Sequence, residues 1–177
     1  MIVELLRKFL LEDGWSYHDG ECYYSKNGEL YTGWVDDYYV QNGRMLRNQV
    51  VRDSESGKYY WVDEYGVYQT NKWVNEGDSY TKEDGTLAEK EWMTIDGKLY
   101  CFYGGQYGVS HVYGMATIDR KEYLFDKNGV YICDVAGMKD GWSLVDGAYY
   151  YKLNGSFIVG HEVQINGRWY SFDWDGK

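Results

Sequence analysis

The chain of 177 residues has no proline and only three cysteines, Cys22, Cys101 and Cys133. An odd number cannot all pair within one chain, and none stands in a C-x-x-C or other ligand spacing, so neither a disulfide framework nor a metal site is indicated. The thiols are expected as small buried hydrophobes. Positive charge is scarce too, since 18 Lys plus Arg against 28 Asp plus Glu leave a net charge of −10. Such a chain, with no basic stripe, repels phosphate backbones, which argues against nucleic acid. No apolar run reaches the roughly 18 residues that span a bilayer, and the apolar start lacks the basic flank and cleavage site of a signal peptide. Catalytic signatures are missing as well: there is no G-x-S-x-G, H-E-x-x-H, P-loop or G-x-G-x-x-G after a strand. His18, His111 and His161 are scattered, and carboxylates such as Asp19, Asp96 and Asp146 sit where turns already account for them. No catalytic residue, cofactor or metal is read from this sequence, which is taken as non-enzymatic.

What is abundant is aromatic and glycine content: 8 Trp, 21 Tyr, 5 Phe and 22 Gly. Twelve glycines directly follow Asn or Asp, among them Gly20, Gly97, Gly147 and Gly167. These dipeptides favour two-residue hairpin turns, whose central residues need positive φ. Short runs rich in Tyr, Trp, Val and Ile lie between them, such as 99–102, 123–125, 149–151 and 169–172, and read as strands. The closing glycines Gly28, Gly43, Gly66, Gly85, Gly108, Gly129, Gly155 and Gly176 recur with a mean step of about 21 residues, the period of a repeat array.

The clearest units start at Trp92 and Trp142, with looser copies from Trp15, Trp34, near Val51, from Trp73, from Met115 (Arg120 in place of the turn glycine) and from Glu162. One hairpin cannot bury a core, so each aromatic face must be covered by its neighbours. The expectation is an all-β solenoid of stacked hairpins over residues 14–177, about eight units, cut short at its C-terminal end. Residues 1–13 differ: Ile2, Leu5, Leu6, Phe9 and Leu10 follow a helical period, predicting a short amphipathic helix that caps the first repeat.

Units such as 92–102, and the link Tyr31-Thr32-Gly33-Trp34, resemble the cell-wall-binding repeats of Gram-positive bacteria and their phages. That superfamily includes choline-binding repeats, glucan-binding repeats and the repeat region of large clostridial toxins. The resemblance implies a non-catalytic module, extracellular and attached to the cell surface. Its partner would be a wall polymer, choline-bearing teichoic acid or α-glucan, with a linked catalytic or adhesin domain beyond this chain. It further implies a cage made by the opening Trp, an aromatic seven positions later and a Tyr of the next repeat. Two sets meet that pattern: Trp73, Tyr80 and Tyr100, and Trp142, Tyr149 and Tyr170. Ring faces attract a quaternary ammonium, which has no strong hydrogen bond to offer. The alternative is a structural spacer or protein-contacting arm whose rings are all core.

Overall fold

The computed structural model describes residues 12–177, whose regular structure is almost entirely short antiparallel strands. The helix expected over residues 1–13 falls, but for its last two residues, outside the described residues. Glu12 and Asp13 form a bend.

Two compact units divide the chain, one ending at Ala88 and the other beginning at Glu89. The first holds the hairpins Gly14–His18 with Glu21–Lys26, Gly33–Val35 with Tyr38–Gln41, Gln49–Arg52 with Tyr59–Val62, and Lys72–Val74 with Ser79–Thr81. The second holds Glu91–Ile95 with Lys98–Gly104, Gly114–Ile118 with Lys121–Phe125, Gly141–Val145 with Ala148–Leu153, and Glu162–Ile165 with Arg168–Ser171. These hairpins start where the aromatic repeat of the sequence places them.

Turn chemistry explains the registers. In Asp96-Gly97, Asp146-Gly147 and Asn166-Gly167 both residues take positive φ, the twist that lets two strands fold back on each other. Asp119-Arg120 makes the same turn without glycine, with Arg120 at φ 65. Not every Asn-Gly or Asp-Gly dipeptide is such a turn, which corrects the expectation from sequence. At Asp84-Gly85, Asn128-Gly129 and Asp175-Gly176 only the glycine is left-handed. The last two close a wider loop in which an aspartate three residues before the glycine, Asp126 or Asp173, accepts backbone N–H bonds from two and four residues on.

Burial is divided among several small clusters. Tyr39, Val51 and Val62 pack with Trp34 and Tyr68 in the first unit. In the second, Leu124, Val135, Tyr150 and Phe157 form one cluster, and Cys101, Ile118 and Phe125, with Trp92, another. Large rings let hairpins with strands of three to seven residues bury this much surface. All three cysteines are unpaired, and burial pushes the Cys101 thiol up to about 12. Among the described residues no helix is long and apolar enough to cross a membrane.

Candidate functional site

The hairpin Gly141–Val145 with Ala148–Leu153 shows how a site is built. Its Asp146-Gly147 turn sets Trp142 opposite Tyr151 and Leu144 opposite Tyr149. Strand alternation then puts these four on one face and Ser143, Val145, Ala148 and Tyr150 on the other. Tyr150 is fully buried, whereas Tyr149 is 62% exposed and Trp142 42%.

The next hairpin brings in Tyr170, opposite Val163. Its ring centroid lies 4.8 Å from that of Trp142, at an interplanar angle of 64°. Tyr149 meets the same indole at 6.3 Å and 89°. Tyr151 at 5.0 Å and the buried Phe172 at 5.8 Å hold the indole in place. Trp142, Tyr149 and Tyr170 line a concavity of ≈ 400 Å³. Near-perpendicular rings this close form a corner in which one cation can lie within about 6 Å of two or more centroids.

The other sequence-derived set divides between the units. Trp73 and Tyr80 face each other across one hairpin of the first unit, 5.3 Å apart at 74°. Tyr100 belongs to the second unit and is buried. Burial, then the charges of Asp126 and Asp96, raise its phenol.

A further aromatic concavity, of ≈ 490 Å³, surrounds Trp15. Tyr17, Cys22, Tyr38, Met45 and Tyr65 line it with Trp15, and the Trp15 and Tyr38 rings stand 5.7 Å apart at 79°. Spacing could not find this site, because the position seven after Trp15 is Cys22. The usable signal was Tyr65 in the turn Asp63-Glu64-Tyr65-Gly66, which fixes Tyr65 by a bond from its N–H to the Asp63 carboxylate.

Two tryptophans are enclosed instead. Trp92 repeats the geometry of Trp142, with Tyr123 at 5.0 Å and 69° and Phe125 stacked at 5.6 Å, but its hairpin carries Leu99 in place of a second ring, and Tyr131 packs against the indole at 5.7 Å. Trp34 is surrounded by Tyr39, Tyr60 and Tyr68 at 4.9–5.6 Å. Among the described residues no group of three or more His, Cys, Asp or Glu could hold a metal ion.

No protein-family model matches the chain, and no curated protein does. Among solved structures it is similar to CbpJ from Streptococcus pneumoniae TIGR4, at 24% identity over 93% of this chain and 57% of that one, with a TM-score of 0.50. Choline binding protein F of Streptococcus pneumoniae matches at 26% identity, 93% and 56% coverage and a TM-score of 0.49. For the modular autolysin LytC of Streptococcus pneumoniae the figures are 22%, 81%, 36% and 0.48. The chain therefore spans between 36% and 57% of the length of these proteins. Its fold is that of CbpJ, a succession of small aromatic hairpins with no closed barrel among the described residues.

Proposed function

We propose that this chain is a non-catalytic cell-wall-binding module, extracellular and surface-attached, that holds the quaternary ammonium of a choline-bearing wall polymer. The observation that carries the reading is the convergence of Trp142, Tyr149 and Tyr170 on one concavity. The concavity around Trp15 and Tyr38 is a second site of the same kind. Trp73 and Tyr80, paired across one hairpin of the first unit, supply two rings of a further candidate site.

Three ring contacts at about 0.5–2 kcal/mol each amount to ~1.5–6 kcal/mol, so a single site binds at roughly millimolar strength. Repetition along a polymer then multiplies retention by about 10²–10⁴. A linked catalytic or adhesin domain beyond this chain would use that retention to stay at the wall.

Titrating choline while recording tryptophan fluorescence tests the proposal. The expected result is a saturable change with a millimolar midpoint, retention on a choline matrix and release by free choline. Absence of both saturation and retention overturns it.

A further inference from the structure

Five Asn-Gly pairs occur in the chain, at Asn27, Asn42, Asn128, Asn154 and Asn166. Asn-Gly is the pair most open to spontaneous deamidation, because no side chain on the glycine shields its nitrogen from the asparagine amide. All five asparagines are exposed, so access of water does not distinguish them. What the glycine N–H is bonded to does.

In four pairs that N–H is tethered. Gly155 donates to one oxygen of the Asp140 carboxylate at 2.9 Å, and Asn154 donates to the other at 2.8 Å. Gly28 donates to the Asp13 carboxylate at 2.9 Å. Gly43 and Gly129 donate to the carbonyls of Tyr31 and Asp126, at 2.7 and 3.0 Å. The Gly167 N–H differs, having no hydrogen-bond partner among the described residues. A Cβ added there would meet nothing within 4 Å, so this turn projects into open space.

The tether matters because that nitrogen is the nucleophile. It gives its proton to solvent and attacks the asparagine Cγ. A C–N bond forms, the Cγ–Nδ2 bond breaks, and ammonia leaves with a proton from water. The resulting succinimide adds water and opens at either carbonyl, giving aspartate or, predominantly, isoaspartate. A bonded N–H must first be released, and rotation of the turn toward the attacking geometry breaks the same bond. Where a carboxylate accepts, that slows conversion roughly tenfold or more.

We propose that Asn166 is a spontaneous deamidation site whose isoaspartyl product dismantles the Trp142–Tyr170 corner. An isoaspartyl linkage runs the chain through Cβ and adds one backbone atom to a two-residue turn. In that turn Asn166 and Gly167 stand at φ 50 and 82, which keeps Ile165 opposite Arg168 and Val163 opposite Tyr170. Lengthening it removes the register that sets Tyr170 4.8 Å from Trp142. The ordinary aspartyl product leaves the turn intact, since Asp96-Gly97 and Asp146-Gly147 already make it. The corner therefore has a lifetime set by one exposed turn. Only the accompanying loss of choline binding rests on the proposed function; the conversion and the movement of Tyr170 need no ligand.

The test ages the intact chain in mildly alkaline buffer and maps its peptides by mass spectrometry, with fragmentation that separates isoaspartyl from aspartyl. Asn166 is expected to convert first, roughly tenfold or more ahead of Asn154 and Asn27. Asp140→Ala removes an exposed anchor and should bring Asn154 up to the rate of Asn166. Without any ligand, the Trp142 indole N–H resonance should shift in the isoaspartyl form and stay in place in Asn166→Asp. The choline response at Trp142 should follow the same pattern. An unaged chain with no choline response refutes the proposed function, while the ligand-free resonance still decides this inference. The proposal is overturned if Asn166 does not convert first, if Asp140→Ala leaves Asn154 unchanged, if the isoaspartyl form keeps the Trp142 resonance, or if Asn166→Asp loses it.

Discussion

Trp142 and Tyr170 belong to consecutive hairpins, yet their ring centroids are 4.8 Å apart at 64°. Trp92 and Tyr123 repeat the relationship at 5.0 Å and 69°. The contact thus recurs at two junctions of the second unit, and the variable is what stands beside it. Tyr149 beside Trp142 leaves an open corner, whereas Trp92 has Leu99 at the corresponding position and Tyr131 packed against it.

Tyr149 is the ring best suited to testing the corner, because it is largely exposed and contributes little to the core. Tyr149→Leu is expected to weaken choline binding about three- to tenfold, the worth of one ring contact. Stability should stay within about 0.5 kcal/mol, as for most surface substitutions. Calorimetric titration together with urea unfolding reads both quantities.

Trp34 should behave in the opposite way. Three tyrosines enclose its indole within the first unit. Trp34→Ala is expected to cost about 3 kcal/mol, at the lower end for an aromatic truncation because the ring is only partly buried. Choline-induced shifts of the Trp142 indole should persist under conditions where the variant remains folded.

Arg120 stands at φ 65 in a hairpin turn where other repeats place glycine. A left-handed conformation strains a residue with a Cβ, so Arg120→Gly should stabilise the chain by about 1 kcal/mol, less the extra backbone freedom that glycine gains on unfolding. A rise in the urea midpoint with unchanged slope would confirm it, and a fall would contradict it.

Tyr150 is fully buried, and its hydroxyl has no hydrogen-bond partner among the described residues. Burial, with the nearby negative charges of Asp175 and Asp173, pushes its phenol up to about 12. Removing an unsatisfied buried hydroxyl while keeping the ring should be neutral or stabilising, by up to about 2 kcal/mol. Tyr150→Phe tests this in thermal unfolding, whereas Tyr150→Leu should destabilise by loss of packing against Phe157.

Acid should weaken the first unit through Asp53. Burial is the largest influence on its carboxyl and pushes the pKa up, but the Ser56 hydroxyl at 2.5 Å and the N–H groups of Ser56 and Glu55 together bring it below the ordinary 3.8. Because the folded state holds this proton less tightly than the unfolded chain, the contribution is complete above about pH 4 and is lost as pH falls through the folded value. Asp84, bonded first by the Thr86 hydroxyl, adds in the same direction. Asp175 in the second unit has the reverse sign: burial raises its carboxyl, so protonation favours the folded form. Hydrogen exchange at pH 7 and pH 3 should show protection falling around Gln49–Arg52, and Asp53→Asn should reduce that difference.

The sequence by itself determined the repeat and its hairpins. Asp-Gly and Asn-Gly turns act over two residues and strand alternation over a few more, so Asp146-Gly147 was enough to put Trp142 and Tyr149 on one face. Only the tertiary structure decided which rings stay accessible. Openness at Trp142, closure at Trp92 and the aromatic lining around Trp15 depend on Tyr170, Tyr131 and Tyr65, residues of other hairpins, turns and short strands. A spacing rule describes one ribbon, whereas a concavity is defined by atoms that meet through packing.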